Sequence, residues 1–129
     1  MNDLELNEAL LEAVASHDLR AIEQCLQDGA DILHVRLLDD DHGLIQPVTV
    51  LSMVMFRLAD SRLEEADFLA FTEITAYLLA RGADTRQAMA LAEQNYGLNE
   101  TALAQEDRLM MGPWRLIAKA HVDRYLGQS

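Results

Sequence analysis

The densest group of chemically competent side chains in the sequence is the run Asp39-Asp40-Asp41-His42. Carboxylates and imidazole are common metal ligands in proteins. A calcium-binding EF-hand loop, however, needs acidic residues at alternate positions, Gly at position six and Glu at position twelve. Counted from the first Asp, Gly is fifth and Val50 is twelfth, so the spacing fails. We therefore predict a solvated turn here, with no metal and no other cofactor.

The remaining candidates for catalysis are isolated side chains. Glu64 and Glu65 are adjacent, so on a helix they point to different faces and do not form an acid–base pair. His17 lies in an apolar stripe near a helix end, where we expect a structural histidine. Cys25 lies on an apolar helix face, where burial raises the pKa of a thiol and makes it unreactive. Because the sequence also lacks a Gly-rich phosphate loop and a Gly-x-Ser-x-Gly elbow, it predicts a protein without enzymatic activity.

The hydrophobic pattern that must position these residues is helical along most of the chain. Apolar side chains recur at three- and four-residue spacing. We predict helices over residues 4–17, 18–28, 49–58, 68–81, 87–96, 99–111 and 113–125. Residues 32–38 and 44–48 flank the acidic run and are predicted to pair as a β-hairpin. Helices of ~8–14 residues are marginal alone, so we expect them to pack on one another.

Composition narrows the class of protein. The chain has 129 residues, which fits one domain over residues 1–129, and 10 Lys and Arg against 22 Asp and Glu give a net charge of −12. An acidic surface disfavours nucleic acid and anionic lipid as partners and is compatible with a basic protein. No apolar run approaches the ~20 residues of a membrane span. A single Cys and an N-terminus without a signal-peptide pattern lead us to expect a cytoplasmic protein.

Two segments of the chain resemble each other. Residues 18–31 and 71–84 are both short amphipathic helices followed by Gly-Ala-Asp, with the glycines at Gly29 and Gly82. Glycine at this position favours the left-handed conformation that ends a helix. The self-similarity predicts an internal structural repeat.

The second copy is preceded by a further motif. Thr49-Val50-Leu51-Ser52 is similar to the Thr-Pro-Leu-His opening of the ankyrin repeat, and the acidic run lies where that family has its β-turn. The chain therefore resembles an ankyrin-repeat protein over residues 8–97. The resemblance implies an all-α fold, a short stack of helix pairs in which Gly-Ala-Asp ends the second helix of a repeat. It also implies that the imidazole of His17 bonds the adjacent turn.

The chain departs from the ankyrin pattern in several places. Gly29 and Gly82 lie further apart than the family period of ~33 residues, with about eight extra residues in the hairpin and about twelve around residues 59–71. The third repeat lacks the hairpin. Residues 98–129 match no repeat, and we predict that they form a C-terminal capping helical pair, because the end of a stack exposes an apolar face.

The resemblance also implies where a partner binds, since ankyrin stacks bind proteins through hairpin tips and inner helices. The predicted partner-binding residues form an acidic hairpin and an adjoining helical wall: Asp39, Asp40, Asp41, His42, Ser52, Met55 and Phe56. For Met55 and Phe56, burial under residues 59–65 is an equally good interpretation. We predict a non-enzymatic module that binds a basic protein, as a regulator or as a neutraliser of a basic toxin.

Two alternatives remain at this point. One is a small metal-dependent enzyme on an α-helical bundle, which predicts a metal bound within residues 39–42. The other is a homodimeric structural protein that buries Met110, Met111 and Trp114 between two copies.

Overall fold

The computed structural model describes residues 2–39, 45–58, 62–96 and 111–126. Its elements in chain order are α1 (Asp3–Ala15), α2 (Leu19–Gln27), β1 (Arg36–Asp39), β2 (Ile45–Val48), α3 (Val50–Leu58), α4 (Glu65–Ala80), α5 (Arg86–Tyr96), α6 (Gly112–His121) and a π-helical turn (Val122–Leu126). Most of the described chain is helical, as the hydrophobic pattern predicts. Residues 99–110, which carry most of a predicted helix, lie outside the described residues.

Two helices begin at the side-chain caps that the sequence predicts. The carboxylate of Asp18 accepts a hydrogen bond from the amide of Ala21 at 3.1 Å, at the start of α2. The hydroxyl of Thr49 accepts from the amide of Ser52 at 3.2 Å, at the start of α3. In each case the cap satisfies an amide that has no partner within the helix.

Helix α4 begins earlier than the apolar pattern predicts. The carboxylate of Asp67 accepts a hydrogen bond from the amide of Glu64 at 2.8 Å. Polar residues therefore start this helix three residues before Phe68, the first apolar residue of the predicted segment. Because polar residues mark this helix start, the spacing of apolar residues does not indicate it.

The two Gly-Ala-Asp segments have the same local structure. Gly29 and Gly82 have φ values of 105° and 93°. In both copies the amide of the following Ala donates to the carbonyl four residues before the Gly, at 2.9 Å in the first and 3.0 Å in the second. The Asp side chains then accept from the amide two residues further on, at 2.9 Å for Asp31 and 3.0 Å for Asp84. The sequence repeat is thus also a structural repeat at the level of the helix end.

Replacing either glycine with Ala is expected to lower the free energy of unfolding by about 1–2 kcal/mol, because an L-residue is strained in the left-handed region. A Cβ at Gly29 or Gly82 meets no atom within 4 Å, so the cost arises in the backbone alone. Urea unfolding of Gly29→Ala and Gly82→Ala measures it, with Gln27→Ala, at an exposed helical position, as the control. A loss at only one of the two glycines would contradict the equivalence of the copies.

The helices form one continuous apolar core. Helix α1 packs on α2 and α3; α3 also packs on α4, α5 and α6; and α6 packs on α4 and α5. The largest fully buried side chains come from five of these helices and from β2: Phe71, Leu10, Leu11, Ile22, Leu51, Met55, Ile74, Leu78, Ile117, Val14 and Val48. The core is mainly aliphatic, as expected from an aromatic content of 5%.

His17 joins the α1–α2 connection to α4. Its φ of 43° places it in the left-handed region after α1, and its ring meets the ring of Phe71 edge-on, with centroids 5.2 Å apart. Its Nε2 lies 3.2 Å from Oδ1 of Asp67. The imidazole therefore contacts a helix distant in sequence, which corrects the expectation that it bonds the adjacent turn.

The predicted hairpin is confirmed. Strands β1 and β2 pair antiparallel, in a register that runs from Arg36 opposite Val48 to Asp39 opposite Ile45. Strand β2 leads through Thr49 into α3 and also packs against that helix. The hairpin is thereby attached to the helical core through its second strand.

The C-terminal end of α6 differs from the predicted single stripe. After His121 the helix widens into the π-helical turn, so three- and four-residue spacing no longer keeps side chains on one face. Tyr125, predicted on the buried stripe, is exposed. Arg124 of this turn donates to the carbonyls of Leu79 and Ala83 at 3.1 and 2.6 Å, which satisfies acceptors at the end of α4.

Candidate interaction surface

The acidic part of the predicted surface is described only at its first residue. Asp39 ends β1, and its side chain is outside the described set. Asp40, Asp41 and His42 lie outside the described residues. The sequence places Asp40 and Asp41 directly after Asp39, the last residue of β1.

The helical part of the predicted surface needs correction. Ser52 and Met55 are only 1% and 0% exposed, so they belong to the core and offer nothing to a partner. Ser52 is buried because its amide and hydroxyl contact the hydroxyl of Thr49 at the start of α3. Met55 lies in the main apolar cluster, and Phe56 is half-buried. Met55 is thus buried by the helical core, and burial of Met55 or Phe56 under residues 59–65 stays a prediction because residues 59–61 lie outside the described residues.

The predicted dimer contacts are also buried within one chain. Met111 and Trp114 lie in the same core cluster as α4 and α5 residues. Met110 lies outside the described residues. Met111 and Trp114 therefore stabilise the packing of α6 on its own chain, and neither forms an exposed apolar surface for a second copy.

The hairpin carries an apolar surface that the sequence analysis did not identify. Leu33, Val35 and Leu37 are 54%, 44% and 68% exposed. Leu37 lies in β1, Val35 directly precedes the strand, and Leu33 lies in the turn that the amide of His34 closes by donating to the carbonyl of Asp31. We call these three residues the apolar strip. Scattered exposed apolar residues are ordinary, but three at alternate positions on one short segment form a local patch.

The polar residues between them face the helical core. His34 Nε2 lies 3.0 Å from Glu8 Oε2, and Arg36 Nε donates to Glu8 Oε1 at 2.8 Å. Arg36 Nη2 also donates to Glu12 at 3.2 Å. We call this arrangement of Glu8, Glu12, His34 and Arg36 the Glu8 clamp. It fixes which side of β1 faces α1, and alternation then places the side chains of Val35 and Leu37 on the opposite side.

The alternation of polar and apolar residues over 33–37 is visible in the sequence, but its direction is not. An amphipathic strand normally turns its apolar side chains to the core. The reversal depends on Glu8 and Glu12, which are 24 to 28 residues from their partners. The sequence signal for this reversal is a carboxylate on a predicted helix and a basic residue on a predicted strand. That signal does not indicate which helix residue meets which strand residue.

Other titratable side chains of the described chain make structural contacts. Burial, with a smaller contribution from the carboxylate of Asp28, raises the pKa of the Cys25 thiol, as expected for an unreactive cysteine. Hydrogen bonds from Arg86 hold the pKa of Asp84 below its usual range. The Nδ1 of His121 lies 3.0 Å from the hydroxyl of Thr85. Within residues 2–39, 45–58, 62–96 and 111–126, no three His, Cys, Asp or Glu side chains are grouped closely enough to hold a metal ion.

Searches of protein-family models, of curated proteins and of solved structures find no match to this chain. Among the helices of the described residues, none is long and apolar enough to cross a membrane.

Proposed function

We propose that this protein is a non-enzymatic interaction module, a short stack of degenerate ankyrin-like helix pairs that binds a basic protein through its hairpin. The observation that carries the proposal is the apolar strip Leu33, Val35 and Leu37, which is exposed beside the Glu8 clamp. In the sequence, Leu38 and then three aspartates follow the strip.

The arrangement of the helices supports the ankyrin-like part of the proposal. In a stack of helix pairs, the first helix of each pair packs on the first helix of the next. Here α1 packs on α3 and α3 on α5, and the neighbouring helices α1–α2 and α3–α4 are in contact as pairs. The matching Gly-Ala-Asp geometry after α2 and α4 falls at equivalent places in the first two pairs.

The position of the hairpin supports the binding part. The hairpin lies between the first and the second helix pair, where the ankyrin pattern has its projecting turn. Its apolar strip supplies contact area, and the chain's net charge of −12 attracts a basic partner from a distance. Of the three residues predicted to form the helical wall, Ser52, Met55 and Phe56, the half-buried Phe56 is the one that is not fully buried.

The test is capture of a partner from extract of the source cells, using the tagged protein and two variants. Val35→Thr/Leu37→Thr removes apolar contact area and places at both positions a β-branched side chain suited to a strand. Leu69→Gln changes an exposed leucine on α4 and is the matched control. We expect the wild type and Leu69→Gln to capture the same basic protein in similar amounts. We expect Val35→Thr/Leu37→Thr to capture at least about tenfold less of that protein, because apolar contact area is lost.

Salt dependence completes the experiment. The captured protein is purified and its affinity measured by calorimetry at about 0.1 M and about 1 M salt, where the Debye length falls from about 10 Å to about 3 Å. We expect affinity to fall as salt rises. A partner whose binding ignores both the salt and the strip substitutions would refute the proposed surface.

A further inference from the structure

The charged residues of this chain are unevenly distributed. Residues 2–31, which contain α1 and α2, carry eight Asp and Glu against one Arg. The described residues 81–96 and 111–126 carry five Lys and Arg against three Asp and Glu. Opposite charges are therefore concentrated on different parts of a molecule whose net charge is −12. This distribution favours attraction between two copies wherever the oppositely charged parts meet.

An exposed arginine and tyrosine surface lies around the end of α4. The Cζ atom of Arg86 lies 5.7 Å from the centre of the Tyr125 ring, and the Arg86 side chain stays 66% exposed although it also bonds Asp84. Arg124 is held beside them by its bonds to two carbonyls at the end of α4. We call Arg81, Arg86, Arg124 and Tyr125, all of which are exposed, the arginine–tyrosine patch. Arginine and tyrosine are the residue types that contribute most often to binding energy at protein interfaces.

The start of α1 offers a surface of complementary character. Leu4 is 63% exposed, and the exposed carboxylates of Asp3 and Glu5 lie on either side of it in the first turn of the helix. The side chain of Asn2 accepts a hydrogen bond from the amide of Glu5 at 2.8 Å, which caps this turn. We call Asp3, Leu4 and Glu5 the α1 tip. An apolar side chain between two carboxylates thus matches an aromatic ring among guanidinium groups.

We propose that two copies of this protein associate through contact between the α1 tip of one copy and the arginine–tyrosine patch of the other. Leu4 packs against the ring of Tyr125, and the carboxylates beside Leu4 pair with the guanidinium groups around that ring. The contact uses residues outside the hairpin, so it is independent of the proposed binding of a basic protein.

A second copy is the favoured occupant of the patch because this chain itself carries the complement. Leu4 and Tyr125 are large exposed side chains that belong neither to the core nor to the apolar strip, and one contact covers both. At physiological salt the Debye length is about 8 Å, so charges elsewhere on the two copies are largely screened and those at the contact dominate. A nucleic acid is disfavoured, since its phosphates would extend beyond the patch towards an acidic surface.

The experiment measures self-association of the full chain by sedimentation equilibrium at about 0.15 M salt. Small patches form weak interfaces, so protein concentrations run from about 10 μM to about 1 mM. We expect the average mass to rise above the 14.5 kDa of one chain as concentration increases. Asp3→Lys/Glu5→Lys and Arg81→Glu/Arg86→Glu are each expected to weaken association at least about tenfold, because like charges then face one another.

Combining these four substitutions in one chain isolates the contact from net charge. The combined variant keeps the wild-type net charge of −12, and its reversed surfaces are again complementary, so we expect association to return. Two control pairs reverse as many charges at exposed helical positions elsewhere, Glu73→Lys/Glu93→Lys and Arg115→Glu/Lys119→Glu. Both control pairs are expected to associate as the wild type does.

Leu4→Gln examines the apolar part of the contact, with Leu69→Gln as the control at another exposed leucine. We expect Leu4→Gln to weaken association at least about tenfold and Leu69→Gln to leave it unchanged. A wild-type chain that stays monomeric up to about 1 mM overturns the proposal, as does a combined variant that remains dissociated although its circular dichroism matches the wild type. Undiminished association of Leu4→Gln, or an equal loss in the control pairs, overturns it as well.

Discussion

Phe71→Ala is expected to lower the free energy of unfolding by about 3–5 kcal/mol, the usual cost of truncating a buried phenylalanine. Phe71 lies on α4, is 0% exposed, and belongs to the core cluster that the described helices form. Its ring also meets the ring of His17, so it connects the α1–α2 connection with the second helix pair. Phe71→Ala therefore removes packing of α4 against the α1–α2 connection as well as packing within the α3–α4 pair.

Leu69→Ala provides the matched control, since Leu69 lies two residues away on the same helix and is 50% exposed. We expect a loss below about 1 kcal/mol there, as for most surface substitutions. Both variants are compared by urea unfolding followed by circular dichroism. A loss at Phe71 no larger than that at Leu69 would show that α4 does not bury this face in solution.

The sequence predicted those features that depend on residues close together in the chain. The caps at Asp18 and Thr49, the left-handed Gly29 and Gly82, and the hairpin all follow from local backbone preferences, and the structure has each of them. Two local features were missed: the start of α4, because its signal is a polar pair, and the π-helical turn after α6.

The exposed surface was harder to predict than the local structure, because the exposure of a side chain depends on which other elements pack against its face of the helix or strand. Met55 was a candidate surface residue because α3 is apolar on more than one side. In the structure α3 packs on α1, α4, α5 and α6, so a helix surrounded by others buries several faces. The strip on β1 was missed for the converse reason: Glu8 lies on α1, and nothing in the sequence near residue 35 reveals it.

The two Gly-Ala-Asp copies agree in local structure but not in the spacing that the ankyrin resemblance implies. Their separation exceeds the ankyrin period of ~33 residues, yet both copies end their helices with the same hydrogen bonds. The extra residues fall in the hairpin and between α3 and α4, where they do not interrupt the contacts among α1, α3 and α5. Insertions at surface connections cost little, so the wider spacing is compatible with two helix ends that have the same local structure.

Glu8→Ala is expected to lower the free energy of unfolding by about 2 kcal/mol, since it removes the partner of both the His34 imidazole and the Arg36 guanidinium at once. His34 and Arg36 are 16% and 24% exposed at their side chains, so solvent replaces the lost carboxylate only in part. The control is Glu12→Ala, which removes one hydrogen bond to Arg36 from a side chain that is 69% exposed. That change is expected to cost less than about 1 kcal/mol.

Hydrogen exchange separates a loosened hairpin from a general loss of stability. With Glu8→Ala we expect faster exchange at the amides of β1 and β2 than at those of α4 and α6, because the substitution releases the hairpin and leaves the core intact. We also expect weaker capture of the partner, since the apolar strip is no longer held outward. Uniformly faster exchange throughout the chain would mean that Glu8 supports the fold as a whole, and unchanged exchange at β1 would mean that the strip stays exposed without the clamp.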